Sequence, residues 1–327
     1  MSEARPNVYV TRMIPAGGIE LLRESCDVEV NPEDRPVTRE QLLAGVKGRD
    51  GVLCLLTDRI DAGVFDAAAG AKGFANYAVG YDNIDVTEAT KRGIPVSNTP
   101  GVLTDATAEM AWALLFSAAR RVVESDRFMR TGQWQGWGPL QYIGGDVTGA
   151  TLGVLGAGRI GTAMALKSRG FGMKVLYYDA IENRTLEDTL GARKVELETL
   201  LAESDYVTVH LSLTTETLHL LGAPEFTAMK KSAYLINTAR GPIVDEAALV
   251  DALRNGEIAG AGLDVYEHEP RMVAGLAELP NAVVTPHTAS ATKSSRTNMA
   301  LKAARNLLAM LKAEHAPDCV NPEVYGN

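Results

Sequence analysis

Three segments of the 327-residue sequence each place an ionisable side chain shortly after an apolar, strand-like run. The side chains are Arg240, Glu269 and His287. An arginine offers a planar fork for a substrate carboxylate and its neighbouring oxygen. A histidine can donate a proton to a carbonyl oxygen, or accept one in the reverse direction. A carboxylate that touches the far ring nitrogen would favour the charged imidazolium and hold its orientation. Spacing alone does not establish that contact.

Each of these residues also has an ordinary structural interpretation. The arginine could be a surface ion-pair partner, the glutamate a solvated loop acid and the histidine a satisfied structural group. Two other histidines, His210 in a strand-like run and His268 beside Glu269, are rivals for proton transfer. His219 and His315 have the pattern of surface positions. Only the joint placement of the three segments favours chemistry.

The elements that must position these side chains follow an alternating pattern. Short apolar runs alternate with stretches of helical spacing through the first hundred residues, which is typical of βαβ units. A second series of apolar runs starts at residue 151, and most of its runs predict strands buried on both faces. The pattern predicts an α/β fold with parallel sheets wrapped by helices. The predicted strands are 7–11, 27–30, 51–56, 73–78, 94–97, 151–155, 174–178, 206–211, 233–237, 259–264 and 282–285.

Two further segments bear on the division into domains. Residues 104–130 predict one long helix, and residues 131–149, with six Gly, one Pro and two Trp, predict a loop between domains. The last helical stretch, 293–312, has no strand after it and could cross back to the first domain. We therefore expect a discontinuous domain of residues 1–99 and 289–327, and a second domain of residues 100–288.

A glycine motif provides the strongest local signal. Gly156, Gly158 and Gly161 follow the predicted strand 151–155 and open a helix. The first glycine permits a tight turn, the second lets the main chain approach a pyrophosphate, and the third allows close helix–strand packing. The helix N-terminus then meets the anion with its N–H groups. An incidental glycine-rich turn is the alternative.

Asp179 argues against an incidental glycine-rich turn. It ends the next predicted strand, 18 residues after Gly161. A carboxylate there can accept hydrogen bonds from both adenosine ribose hydroxyls and would repel a 2′-phosphate, which favours NAD over NADP. Arg184 lies close enough in sequence to leave that preference open. The alternative for Asp179 is a helix or turn cap.

Composition excludes several classes of protein. Lys and Arg number 32 against 41 Asp and Glu, and no basic run stands out, so we expect neither nucleic-acid nor membrane binding. The sequence has no apolar run of about 18 residues and no apolar segment near its start. Cys26, Cys54 and Cys319 form neither a metal-ligand spacing nor a disulfide framework. We expect a cytoplasmic protein without a metal site.

Six segments together carry a family resemblance. They are 76–85 (NYAVGYDNID), 98–109 (NTPGVLTDATAE), the GAGRIG loop at 156–161, 237–241 (NTARG), 259–265 (AGAGLDV) and the Pro286–His287 pair. With these motifs the sequence resembles the D-isomer-specific 2-hydroxyacid dehydrogenases, and within them the glyoxylate/hydroxypyruvate reductases. The likeness runs from Asn7 essentially to the C-terminus. It implies two doubly wound parallel-sheet domains, a Rossmann-type cofactor domain and a flavodoxin-like substrate domain.

The resemblance also implies a site and an assembly. Arg240, Glu269 and His287 would be the catalytic residues, with His287 as the proton donor in reduction. The main-chain N–H groups of Val79 and Gly80 would hold the substrate carboxylate. Two cofactor domains would meet in a homodimer, with the loop around the two Trp reaching toward the neighbouring subunit. The cofactor would be NAD, bound by Thr107, Gly156, Gly158, Arg159, Ile160, Gly161, Asp179, Leu211, Thr217, Thr238 and Asp264.

The function implied is NAD(H)-dependent reduction of a small 2-oxoacid, glyoxylate or hydroxypyruvate, with pyruvate also open. The sequence departs from the usual family pattern at His287-Thr-Ala-Ser290, where His-Ile-Gly-Ser is commoner, and this leaves the preferred substrate size open. A D-3-phosphoglycerate dehydrogenase is one alternative. A non-catalytic, NAD-sensing corepressor-like protein is another, because binding proteins can retain catalytic residues.

Overall fold

The computed structural model describes residues 4–326, which form two compact units. One unit contains the chain up to Leu103 and again from Ala291 onward, and the other is Thr104–Ser290. Within the described residues, all strand pairings of the two sheets are parallel. This confirms the predicted α/β class with two parallel sheets.

The first unit is built on a sheet of five strands in the order β2-β1-β3-β4-β5. This is the flavodoxin-like order, in which the chain reverses direction across the sheet between β1 and β3. Side chains such as Val52, Phe65 and Phe74 form its buried core. The elements are β1 (Asn7–Val10), α1 (Ala16–Arg23), β2 (Asp27–Val30), α2 (Arg39–Val46), β3 (Gly51–Cys54), α3 (Ala62–Ala67), β4 (Phe74–Asn76), α4 (Val86–Lys91) and β5 (Val96–Ser97).

The second unit contains a sheet of seven strands with helices on both faces. Leu155 and Val154 belong to two different buried clusters, so neighbouring residues of one strand fill opposite faces. This burial on both faces agrees with the near-continuous apolar runs. The elements are α5 (Thr104–Ala119), α6 (Val122–Arg130), β6 (Thr151–Leu155), α7 (Arg159–Lys167), β7 (Lys174–Tyr178), α8 (Arg184–Leu190), β8 (Arg193–Lys194), α9 (Leu197–Glu203), β9 (Tyr206–Val209), α10 (Ala223–Ala228), β10 (Tyr234–Asn237), α11 (Glu246–Asn255), β11 (Gly260–Leu263) and β12 (Ala282–Val284).

The strand order of the second sheet defines where a ligand belongs. The order is β12-β11-β10-β9-β6-β7-β8, so β6 pairs with both β7 and β9. The chain runs outward from β6 in one direction and then continues on its other side, as in a Rossmann fold. In such sheets ligands bind beyond the carboxyl ends of the strands, where the order reverses.

The final helix, α12 (Lys293–Leu311), packs against α1 and against β3 and β4 of the first sheet. The first unit therefore contains two separate stretches of the chain. Short 3₁₀ turns complete the described structure at Ser168–Phe171, Gly241–Ile243, Leu276–Glu278 and Pro322–Tyr325. None of the helices among residues 4–326 combines the length and hydropathy that a membrane-spanning segment needs.

The predicted single helix at 104–130 is wrong. The helix breaks because Arg121 adopts a left-handed backbone conformation with φ of 52°. Its guanidinium pairs with Glu124, and the Ala119 carbonyl accepts the Gly145 N–H at 2.9 Å. The segment 131–149 is a loop as predicted, but it lies within the second unit rather than between the two units.

Candidate active site

His287 and Glu269 are in direct contact. The Nδ1 atom of His287 lies 2.9 Å from Oε2 of Glu269 and 3.2 Å from its Oε1. The Tyr266 N–H donates to the same carboxylate at 3.2 Å. The carboxylate therefore occupies one ring nitrogen of the histidine and leaves Nε2 as the nitrogen for proton exchange.

The Glu269 carboxylate stays ionised at neutral pH. Burial pushes the pKa of Glu269 upward, but the hydrogen bond and charge of His287 oppose this effect. The Tyr266 N–H and the positive charge of Arg240 add to that opposition, and the net pKa lies below its ordinary value.

The turn that carries His287 is held by a buried aspartate. Asp264 is fully buried, and its carboxylate accepts hydrogen bonds from the Thr285 hydroxyl at 2.6 Å, the Thr288 N–H at 2.8 Å and the Ala289 N–H at 2.6 Å. His287 itself has a left-handed φ of 52°, which is uncommon for a residue with a side chain. The surrounding hydrogen bonds stabilise this conformation, and it sets the direction of the imidazole.

The loop that carries Glu269 is tied to the same turn. The Tyr266 hydroxyl donates to the Thr285 carbonyl at 2.8 Å. Burial raises the pKa of Tyr266 to about 12, so the hydroxyl keeps the proton that it donates. Because β11 and β12 are neighbouring parallel strands, the loops that follow them meet at one edge of the sheet. This arrangement brings Glu269 and His287 into contact although they are 18 residues apart in the sequence.

Arg240 lies after β10, the next strand along the sheet. The Asn237 side chain donates to the Arg240 carbonyl at 2.9 Å and accepts the Ala239 N–H at 3.0 Å, which fixes this turn. A Cβ atom on Gly241 would lie 1.9 Å from the Tyr266 carbonyl carbon. The arginine turn therefore packs directly on the loop that leads to Glu269.

The rival histidines have other surroundings. The ring of His210 contacts the Thr208 hydroxyl at 2.9 Å, and desolvation lowers the pKa of His210 to about 3. A ring that is neutral at ordinary pH is a poor proton donor. His219 pairs with Glu267 at 2.8 Å, and His268 is largely exposed, with its Nε2 3.9 Å from the same carboxylate. His287 differs from these three histidines in its contact with Glu269.

The glycine motif has the structure that an anion-binding turn requires. Gly156 has φ of 91°, and a Cβ there would lie 2.8 Å from the main chain of His210 and Leu211. A Cβ on Gly161 would lie 1.9 Å from the Gly156 carbonyl oxygen. Gly158 begins α7, and a Cβ there would meet no protein atom within 4 Å. No side chain caps α7, so its first-turn N–H groups face open space.

Asp179 holds this turn from the end of β7. Its carboxylate accepts the Ala157 N–H at 2.7 Å and the Ile181 N–H at 3.0 Å. Asn183, which the sequence analysis did not select, donates to the Ala157 carbonyl at 2.8 Å and to the Thr162 hydroxyl at 2.7 Å. Its position as the N-cap of α8 was the available signal.

The other cofactor candidates lie around these turns. Arg159 and Ile160 open α7, Thr107 is buried in α5, and Thr217 closes the loop after β9 by donating to the Ser212 carbonyl at 2.7 Å. The Thr238 hydroxyl is buried without a hydrogen-bond partner among the described residues. Buried hydroxyls are normally paired, so this atom fits a ligand that supplies the partner. The open glycine turn and this hydroxyl both fit a nicotinamide dinucleotide.

Val79 and Gly80 lie in the first unit, on the segment that follows β4. Both residues are partly exposed. The hydrogen bonds of their peptide groups are described below. Within residues 4–326, no group of three or more His, Cys, Asp or Glu side chains is arranged to hold a metal ion.

Comparison with known proteins decides the family. The family model described as D-isomer specific 2-hydroxyacid dehydrogenase, NAD binding domain, matches residues 112–289. The chain belongs to this family. The resemblance drawn from the motifs is thereby confirmed, and the match places a nicotinamide-cofactor domain on the seven-stranded unit.

Similar proteins cover nearly the whole chain. Glyoxylate reductase of Thermococcus kodakarensis is 51% identical over 324 residues, which is 98% of this chain and 97% of that protein. A Thermus thermophilus crystal structure has a TM-score of 0.89 at 44% identity, covering 96% of this chain and 99% of that one. An NADPH-dependent glyoxylate/hydroxypyruvate reductase from Sinorhizobium meliloti, solved with NADP and malonate, has a TM-score of 0.86 at 33% identity over 98% of each chain.

Proposed function

We propose that this 2-hydroxyacid dehydrogenase reduces glyoxylate or hydroxypyruvate to the corresponding 2-hydroxyacid of D configuration, with NADH as the reductant. The contact between His287 and Glu269, within the field of Arg240, carries the proposal. It provides a proton donor whose ring is oriented by a carboxylate, next to a cation that suits a carboxylate. The glyoxylate reductases among the relatives support the choice of substrate.

In the proposed mechanism, a bound reduced nicotinamide supplies the hydride for the substrate's carbonyl carbon. His287 donates its Nε2 proton to the carbonyl oxygen, while Glu269 keeps the ring oriented. Arg240 binds the substrate and stabilises the negative charge that develops on the oxygen. The N–H groups of Val79 and Gly80 bind the substrate carboxylate.

The cofactor is held by the second unit in this proposal. The N–H groups of Arg159 and Ile160 would donate hydrogen bonds to the pyrophosphate. The Asp179 carboxylate would accept hydrogen bonds from the ribose hydroxyls. The remaining contacts with the cofactor would come from Thr107, Leu211, Thr217 and Thr238. Asp264 would contact the nicotinamide carboxamide, and its three short hydrogen bonds to the His287 turn give it a structural role as well. In this proposal, residues 1–99 and 289–327 form the substrate domain, and residues 100–288 form the NAD domain.

We expect the Asp179→Asn variant to raise the preference for NADPH over NADH by about tenfold or more, which corresponds to about 1.4 kcal/mol. The variant removes a negative charge that would repel a 2′-phosphate but keeps an oxygen for the Ala157 N–H. The ratio of kcat/KM for the two cofactors measures the effect. Glu182→Gln is the matched control, because it removes an exposed charge from the same loop. An unchanged ratio in Asp179→Asn would contradict the assignment.

We also propose a homodimer formed through the NAD domain. Four large apolar side chains in the 131–149 loop are exposed, and Trp137 is 84% exposed. An exposed apolar cluster of this kind is typical of an interaction surface. Light scattering should give twice the 34.9 kDa chain mass, and a monomer at micromolar concentration would refute it. The three cysteines are free, which is consistent with a cytoplasmic protein.

The test of the proposed function follows NADH absorbance with four substrates: glyoxylate, hydroxypyruvate, pyruvate and phosphohydroxypyruvate. The same series is then repeated with NADPH. We expect turnover of the first two with NADH. Preference for phosphohydroxypyruvate would instead indicate a phosphoglycerate dehydrogenase, and the absence of turnover with every oxoacid would overturn the proposed reaction.

A further inference from the structure

Three consecutive carbonyl groups after β4 are each held by a donor of the first unit. The Ala78 carbonyl accepts the Thr99 N–H at 2.8 Å. The Val79 carbonyl accepts the Asn98 side-chain amide at 2.7 Å, and the Gly80 carbonyl accepts the Asn76 side-chain amide at 2.9 Å. Two of the three anchors are therefore asparagine side chains rather than strand hydrogen bonds.

Anchoring a carbonyl also fixes the N–H of the next residue. In a trans peptide the C=O and N–H bonds point in opposite directions. The three anchored carbonyls thus direct the N–H groups of Val79, Gly80 and Tyr81 away from their anchors. Within the described residues, no protein acceptor takes any of these three N–H groups. Val79 and Gly80 are partly exposed and Tyr81 is exposed.

Both asparagines are themselves fixed. Asn76 is fully buried, and its amide nitrogen also lies 3.1 Å from the Asn83 side-chain oxygen. The Asn98 main chain donates to the Asp318 carbonyl at 3.2 Å, and its carbonyl accepts the Asn306 amide at 3.3 Å. Because Asn306 belongs to α12, this helix stabilises the position of Asn98. The orientation of the three peptides is therefore set before a ligand arrives.

We propose that Asn76 and Asn98 are positioning residues that preset these peptides as a carboxylate-binding site with Tyr81 N–H as a third donor. The inference rests on the proposed function and extends it. Successive main-chain N–H groups can bind an anion without a side-chain charge. A carboxylate has acceptor sites for three such donors. The site selects substrates by their carboxylate, whereas His287 and Arg240 act on the carbonyl group.

The test is the Asn98→Ala variant. The 79–80 peptide loses its anchor, so its N–H no longer points reliably at the carboxylate. We expect the KM for glyoxylate to rise by about tenfold or more, the scale of a hydrogen bond to a charged group. The inhibition constant of oxalate, a carboxylate probe, should rise in parallel. The kcat and the KM for NADH should stay at the wild-type values, because the anchor orients ligand binding and not the proton transfer.

Asn281→Ala is the matched control. Its amide also donates to main-chain carbonyls, those of Leu253 and Ala259, but in the second unit and outside the proposed site. The control should leave the glyoxylate KM unchanged. If Asn98→Ala lowers the melting temperature, Asn98→Leu decides the question, because it nearly keeps the side-chain volume, adds no charge and cannot donate to the Val79 carbonyl. Wild-type KM and oxalate inhibition in the folded variant would overturn the inference.

The outcomes also separate this inference from the proposed function. A wild-type chain that turns over no 2-oxoacid overturns the proposed function and the inference with it. A wild-type chain that reduces glyoxylate, together with an Asn98→Ala variant of the same KM, overturns only the positioning role. A fall in kcat alone would also contradict it, since the variant would then act on the chemical step.

Discussion

Replacing His287 by alanine should lower kcat for glyoxylate reduction by about a hundredfold or more, the usual scale for a general acid. The substitution removes the group that protonates the carbonyl oxygen and leaves the Glu269 carboxylate without its 2.9 Å partner. His210 is a poor substitute, because desolvation lowers its pKa to about 3. Steady-state assays with NADH and glyoxylate measure the loss of kcat.

NADH binding should survive this substitution. The glycine turn is held by Asp179 and Asn183, neither of which depends on the imidazole. Titration of NADH fluorescence should therefore give the wild-type dissociation constant. His268→Ala is the control, because His268 is exposed on the same loop as Glu269. Equal turnover in wild type and His287→Ala would refute the role of His287 as proton donor.

The fold was predictable because its signal is local. Each buried strand is a short apolar run, and most of these runs are followed by a helical stretch, so the alternation indicates a parallel α/β sheet. The glycine motif was readable for the same reason, since strand, turn and helix are consecutive. The break at Arg121 was not predictable. Apolar spacing continues through both helices, and the left-handed residue is neither glycine nor asparagine.

The geometry of the site was only partly predictable. The sequence supplied Arg240, Glu269 and His287 as candidates, but their contact depends on the order of β10, β11 and β12 in the sheet. It also depends on the buried carboxylate of Asp264, which holds the left-handed turn of His287. Spacing along the chain contains neither the strand order nor the direction of a side chain.

The anchored peptides of the first unit show a further limit of sequence reasoning. Resemblance pointed to the N–H groups of Val79 and Gly80, but no residue pattern indicated what orients them. The anchors, Asn76 and Asn98, lie 22 residues apart at the ends of neighbouring strands. Only the register of β4 against β5 brings both amides to the same three peptides.

Two alanine substitutions in the glycine motif should differ in their effect on stability. In an open helix, replacing glycine by alanine stabilises by about 1 kcal/mol. At Gly161 the sign should reverse, because the added Cβ would lie 1.9 Å from the Gly156 carbonyl oxygen, which is main chain and cannot rotate away. Overpacking of this kind costs about 1–3 kcal/mol. Gly161→Ala should therefore lower the melting temperature, and separation of α7 from the turn should also weaken NADH binding.

Gly158→Ala should leave stability unchanged and still weaken NADH binding. Gly158 has φ of −70°, which alanine adopts without strain, and its Cβ would meet no protein atom within 4 Å. The methyl group would instead fill the space in front of the first turn of α7, where the pyrophosphate must approach the N–H groups. Losing one such charge-assisted hydrogen bond weakens binding by about tenfold or more. Calorimetry of both variants with and without NADH measures both effects. A Gly161→Ala variant more stable than wild type would contradict the close packing inferred for this turn. A Gly158→Ala variant with wild-type NADH affinity would show that the space at Gly158 is not the space that the cofactor needs.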